Sequence, residues 1–166
     1  MVSATVDTSP TPRIGDARRV AASVEDPELP FVTIEELGIL RDVDADAEGR
    51  VTVTVTPTYS GCPATEVIRD SIVAALAEAG FIDVQVDTVF SPPWTTDDIT
   101  PEGRRKLEEG GIAPPRDLAE VASQPILCPR CRSDSARTVS EYGSTACKAL
   151  MVCEACGEPF DHFKEI

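Results

Sequence analysis

A chain of 166 residues with 42% apolar residues and a net charge of −14 suits one ordinary domain, or a domain of about 100 residues carrying a small module. The charge is uneven: residues 1–125 hold 10 basic and 23 acidic side chains, whereas residues 126–166 hold 5 and 6. An acidic body repels phosphate backbones, which argues against nucleic acid as a partner. No run approaches the roughly 20 apolar residues of a membrane span. The stretch Met1–Pro12 lacks the basic start and apolar core of a signal peptide. The expectation is a soluble, cytoplasmic chain, in which six cysteines point to metal or redox chemistry before structural disulfides.

Residues 1–12 read as a flexible tail. Ile14, Ala17, Val20, Ala21 and Val24 recur at helical spacing and predict a short amphipathic helix. Asp26-Pro27-Glu28 ends it, and with Pro30 makes Glu25–Pro30 a loop. Thr33 with Glu36 has the form of a capping box over a single turn that Gly38 closes. Ile39–Val43 and Val51–Thr56 read as an antiparallel hairpin, the second strand alternating Val51, Val53 and Val55 with threonines.

The turn Thr56-Pro57-Thr58-Tyr59-Ser60-Gly61-Cys62-Pro63 leads directly into a helix whose apolar stripe, Ala64, Ile68, Ile72, Ala75, Leu76 and Ala79, stops at Gly80. Pro63 suits the first helical position, so Cys62 lies at or beside the N-cap, where the helix dipole favours a thiolate. Two readings stand for Cys62: a reactive or metal-accepting sulfur, and a cysteine that only fills space. Ile82, Val84 and Val86 then alternate with polar residues as a third strand. Strand, helix, strand implies a right-handed crossover and a mixed sheet. The fold class is therefore α+β, a small mixed sheet with helices on one face. Trp94, in Ser91-Pro92-Pro93-Trp94, is expected to pack over a core edge. A polar helix spans about Pro101–Glu109, and the glycines and prolines after it make 113–125 a linker between a domain over 13–112 and a module over 126–166.

In that module Cys128-Pro129-Arg130-Cys131 and Cys153-Glu154-Ala155-Cys156 are CxxC pairs 21 residues apart. Two tight turns can then offer four thiolates to one tetrahedral ion, with a β-hairpin of Thr138–Glu141 and Lys148–Val152 between them: a zinc ribbon. Iron fits a four-thiolate site of the same spacing, and disulfides or dithiol redox couples are the other readings, but two matched pairs favour one ion, and zinc first. Cys147 is the odd thiol, a substitute ligand or transfer thiol on one reading and a buried spectator on the other. Lys148 beside it would lower its pKa if it were exposed. His162 reads as surface or ribbon edge, and the chain offers no hydrolytic triad.

Several motifs together resemble a known family. Asp26-Pro27-Glu28-Leu29-Pro30, Leu37-Gly38-Ile39-Leu40 and the Thr56–Pro63 turn are similar to those of the MIP18 (DUF59) domain of iron–sulfur cluster assembly. Ser91-Pro92-Pro93-Trp94-Thr95-Thr96-Asp97, the Gly111–Pro115 turn and the tail from Ser140 to Asp161 are similar to the PaaD (PaaJ) family of the phenylacetyl-CoA epoxidase system. The resemblance implies an accessory, non-catalytic factor that assists assembly or repair of the iron–sulfur or di-iron centres of a multicomponent monooxygenase in phenylacetate catabolism. Its implied partners are the epoxidase subunits, including the iron–sulfur reductase, and iron–sulfur assembly proteins; oligomeric state is left open. By resemblance, Cys62 would be the exposed thiol that touches iron or a cluster in transit, Asp26 would border the same surface, and the four ribbon cysteines would hold a structural metal and present a partner-docking surface. Where some relatives carry a further cysteine near the C-terminus this chain has Glu165, so no such role carries over.

Two other functions compete with maturation: a thiol or iron electron-transfer component, and an interaction subunit of the oxygenase in which Cys62 is incidental. No flavin, nicotinamide or phosphate-binding glycine pattern is present, so redox catalysis would need a cofactor from elsewhere.

Overall fold

In the computed structural model, which describes residues 14–166, the chain begins with helix α1 (Ile14–Ala22), whose small buried residues Ala17 and Ala21 let it lie close on the elements beneath. The tail expected over residues 1–12 lies outside the described residues. Where the prolines predict a loop, the backbone instead forms a two-stranded antiparallel ribbon, β1 (Glu25–Asp26) with β2 (Leu29–Thr33). Pro27 sits in the connecting turn, and Pro30 is exposed on a strand with a single partner, a place where a missing N–H is tolerated. Thr33 and Glu36 then exchange hydrogen bonds: the Thr33 N–H donates to the Glu36 carboxylate at 2.9 Å, and the Glu36 N–H to Thr33 Oγ1 at 3.2 Å. Gly38 closes that turn at φ +69°, so near Asp98 that a Cβ would lie 2.5 Å from its carbonyl oxygen.

The hairpin β3 (Leu40–Ala45) and β4 (Val51–Val55) forms as expected, and β5 (Val84–Thr88) joins β4 in parallel, giving a mixed sheet of order β3-β4-β5. Helix α2 (Ala64–Glu78) makes the crossover and buries Ala64, Ile68, Ile72 and Leu76. Gly80 follows at φ +92° and the Phe81 N–H reaches back to Leu76 O at 3.0 Å, so the helix stops where its stripe does. The third strand starts later than its alternation suggests. Val84 is the residue opposite Val51, which leaves Ile82 outside the sheet and fully exposed. Both α1 and α2 pack on this sheet, burying Val43, Val51, Val53, Val55 and Val86.

Helix α3 (Pro101–Glu109) is capped by Thr100, whose Oγ1 accepts from the Gly103 N–H at 3.0 Å. Beyond it, β6 (Ile112–Ala113), β7 (Ala136–Ser140), β8 (Lys148–Cys153) and β9 (Pro159–Phe163) form a second sheet of order β6-β9-β8-β7. The ribbon hairpin is thus β7 and β8 within a four-stranded sheet. Residues 113–125 begin inside that sheet at Ala113, and Arg116 Nε donates to Glu165 Oε1 at 2.7 Å.

The two sheets share one core. Ile112, Cys147 and Phe163 pack into the cluster that contains Leu37, Val55 and Ile68. Trp94 is buried there, its Nε1 donating to Leu37 O at 2.8 Å. A smaller cluster of Ala113, Cys128, Met151, Cys153 and Phe160 lies around the ribbon thiols. His162, expected at the surface, is only 3% exposed. Pairing of β6 on β9 covers it, with Nδ1 3.2 Å from Ala113 O and Nε2 3.4 Å from Glu165 Oε1.

Candidate functional site

The ribbon positions its sulfurs through two matching turns. The Arg132 N–H donates to Cys128 O and the Gly157 N–H to Cys153 O, each at 2.9 Å, while Cys128 N and Cys153 N donate to Ser133 O and Glu158 O. Arg132 at φ 64° and Gly157 at φ 78° both take the left-handed conformation that folds each CxxC pair back on itself. All four Sγ atoms lie within 4.8 Å of one another, Cys128 being 3.8 Å from Cys156 and Cys131 3.6 Å from Cys153. A tetrahedral ion with metal–sulfur bonds of about 2.3 Å sets its sulfurs about 3.8 Å apart, so the spacing of this donor set suits a zinc-sized ion. The Cys156 N–H, aided by that of Ala155 and against burial, holds the Cys153 thiol down at about 7. This is a metal-binding four-cysteine group, and among the described residues it is the one set of His, Cys, Asp or Glu side chains that converges in this way.

Cys62, Asp26 and Cys147 lie together elsewhere. They line one narrow cleft between the mixed sheet, the start of α2 and the ribbon, walled by Leu37, Ile68 and Phe163 among others. Its cavity volume is about 20 Å³, room for little more than one water molecule. Cys62 arrives there because the Thr56–Pro63 turn is fixed at both ends. Thr56 N donates to Ile39 O at 2.9 Å, and Pro63 already has helical backbone angles at the head of α2. Asp26 is held by the Glu28 N–H, which donates to its Oδ1 at 2.8 Å. Cys147 comes from the residue before β8, its Sγ 3.0 Å from Thr145 Oγ1.

The electrostatics of the cleft differ from the expectation of a thiolate at Cys62. Burial pushes the Cys62 thiol up, Glu28 and Asp26 push it further, and the Ala64 N–H and Thr58 hydroxyl oppose them without prevailing. The helix terminus does act in the expected direction, but desolvation beside two carboxylates outweighs it. Burial likewise raises Cys147, against Thr145 and Lys148, so the exposure on which the Lys148 effect depended is absent. Asp26 is raised by burial, and Glu28 by burial and by Asp26. Lys148, itself 3% exposed, is the cation whose charge opposes the shifts of Asp26, Glu28 and Cys147. Two thiols and two carboxyls, each shifted upward by burial, therefore line a cavity of that size.

Sequence reasoning named Asp26, Cys62, Cys147 and the ribbon cysteines, and the structure gathers the first three into one cleft and the other four into one cluster. It missed Glu28, Thr58 and Phe163 as cleft residues. Glu28 stands in the Asp-Pro-Glu motif and Thr58 in the Cys62 turn, so both were within reach; Phe163 comes from β9, far from either motif in the chain.

Comparison with known proteins divides the chain into two segments, and the cleft draws residues from both. A family described as iron-sulfur cluster assembly protein matches residues 16–87, and one described as the PaaD zinc beta ribbon domain matches residues 113–164. Over 155 residues the chain is 46% identical to a putative 1,2-phenylacetyl-CoA epoxidase subunit of Escherichia coli K12, covering 92% of this chain and 93% of that one. It is 42% identical over 78 residues to the Fe-S protein maturation auxiliary factor YitW of Bacillus subtilis, covering 46% of this chain and 76% of that one. Among solved structures, a DUF59 domain from Bacillus anthracis superposes with a TM-score of 0.53 at 28% identity, covering 57% of this chain and 90% of the other. A conserved hypothetical protein of Thermotoga maritima gives 0.51 at 29% identity, covering 60% and 98%. Among the described residues no helix is long and apolar enough to cross a membrane.

Proposed function

We propose, from the premise that the chain belongs to the PaaD family, in which an iron–sulfur cluster assembly domain is joined to a zinc beta ribbon, that it is an accessory maturation factor for the metal centres of a phenylacetyl-CoA epoxidase. The full-length relative is named as a subunit of such an epoxidase, and the shorter relatives as Fe-S protein maturation factors. The proposal brings the two together: this chain delivers iron, or an iron–sulfur unit, to the oxygenase or its iron–sulfur reductase in the cytoplasm, and turns over no organic substrate.

The observation that carries the reading is the contrast between two kinds of sulfur site. The ribbon's four sulfurs are already spaced for a resident ion, which suits a structural metal, zinc by its donor set. Cys62 is instead a half-buried thiol kept protonated in a small cleft, able to hold cargo only while that cargo displaces protons. Asp26 and Glu28 supply negative charge that favours an arriving cation, and Lys148 keeps the unloaded cleft from being purely anionic. The assembly unit expected over 13–112 and the ribbon expected over 126–166 meet at β6, where Ile112 and Ala113 already pair with β9 of the ribbon sheet.

The test is iron content in the client. Epoxidase and reductase purified anaerobically from cells lacking this chain should contain less iron per protomer at unchanged protein level. Full occupancy in its absence contradicts the proposal.

A further inference from the structure

The two edges of the mixed sheet are finished differently. Pairing of Asp46 N with Arg50 O sets the β3 ladder so that Val43 and Ala45 turn their backbone groups away from β4. Their N–H groups are taken up by the carboxylates of Asp42 and Asp44, at 2.9 and 2.8 Å, which closes that edge to another strand. Along β5 the ladder to β4 uses Asp83 O and Val89 N, so the alternate residues Val84, Val86 and Thr88 aim their N–H and C=O groups outward. Among the described residues no hydrogen bond reaches those groups.

Beside this bare edge runs a groove of about 650 Å³, lined by Val73 of α2 and by Val84 and Val86 of β5. Val73 is half exposed, and Ile82, just before the strand, is fully so. We propose that β5 is the docking edge for an extended, basic segment of a partner protein, which adds to the mixed sheet as a fourth strand. The proposal goes beyond the maturation reading and is independent of the cleft.

Charge selects the occupant. Glu66, Asp70, Asp83 and Asp87 line the groove against Arg50 and Arg69. Both cations are engaged, Arg50 Nε with Asp83 at 3.0 Å and Arg69 Nη1 with Glu66 at 3.3 Å, which leaves Asp70 and Asp87 without a cation among the described residues. A strand carrying Lys or Arg supplies those cations. The edge gives it backbone hydrogen bonds, and its alternate side chains meet Val73 and Val84. A second copy fits less well, because pairing β5 with itself doubles the four carboxylates and only two guanidiniums, in a chain whose net charge is already −14.

The test uses the full-length protein and an end-blocked peptide, Lys-Val-Lys-Thr-Lys-Val-Lys, with Glu-Val-Glu-Thr-Glu-Val-Glu as control. At saturation the basic peptide should slow amide hydrogen exchange at Val84, Val86 and Thr88 by roughly tenfold or more, while Val43 and Ala45 keep their rates. Val84→Pro removes one outward N–H and spares the ladder to β4, so it should abolish protection at Val86 and Thr88. Should that variant fail to fold, the exposed pair Asp70→Lys with Asp87→Lys decides, and should weaken binding roughly tenfold. No protection by the basic peptide, equal protection by the acidic one, or unaltered binding in the charge-reversed pair overturns the proposal. So does protection already present without peptide: if it grows with protein concentration a second copy holds the edge, and if it does not the chain covers the edge itself. Cys62→Ser should bind the peptide as the wild type does, so failure of the maturation reading leaves the docking edge standing.

Discussion

The ring of Trp94 meets that of Phe163 with centroids 6.1 Å apart and planes inclined by 47°. One residue belongs to the loop after the mixed sheet and the other to the last ribbon strand, and both are buried. Phe163→Ala should therefore destabilise the whole chain by about 3–5 kcal/mol, measured by urea unfolding followed through emission of Trp94, the sole tryptophan. A loss below about 1 kcal/mol would mean that the two sheets are energetically independent.

The C-terminus is fastened by charge as well. Burial alone would raise the Glu165 carboxyl, but the Arg116 guanidinium and N–H hold it down at about 2. A depressed carboxylate contributes stability that is complete above its unfolded value of 4.5 and lost as pH falls towards 2. Glu165→Gln should lower stability at pH 7 by at most about 3 kcal/mol and flatten the acid limb in that window. An acid limb equally steep in the variant would assign acid sensitivity to other groups. Glu165 thus has a structural task at a position where the resemblance raised the question of a thiol.

Ribbon metal and cleft thiols should be coupled through β8, which starts at Lys148, directly after Cys147 of the cleft, and ends at Cys153 of the metal group. Stripping the ribbon ion with a chelator should speed alkylation of Cys147 more than tenfold as that strand loosens, and of Cys62 as its cover goes, because small ribbons rarely hold without their ion. Unchanged labelling rates in metal-free protein would show that docking on the mixed sheet alone keeps the ribbon folded.

The charge around Cys62 has its own signature. Since Glu28 adds to the burial that raises this thiol, Glu28→Gln should lower its pKa and speed its alkylation near pH 8 roughly two- to fivefold, the equivalent of about 0.5–1 kcal/mol of repulsion. Slower alkylation would mean that the carboxylate attracts rather than hinders the thiolate.

Much of the assembly domain was legible because Val51, Val53 and Val55 and the stripe of α2 each repeat with one period and are buried on one face. What escaped was set by tertiary pairing. Pro27 and Pro30 read as breakers, yet a two-stranded ribbon accepts them at its turn and edge. The two-residue β6 has no periodicity to detect, and without it β9 looks like an exposed edge, which is why His162 was expected at the surface. The spacing of the CxxC pairs carried the metal group unaided. That of Cys62 and Cys147 carried nothing, because their meeting depends on how Phe163 docks the ribbon.

On the proposed reading, Cys62 carries metal cargo to the epoxidase system. The direct measurement is iron per protomer in oxygenase and reductase purified anaerobically from cells whose copy of this chain is Cys62→Ser. The iron should fall to the level of cells lacking the chain while the variant keeps its ribbon metal and fold. Wild-type iron content in those client proteins would contradict it.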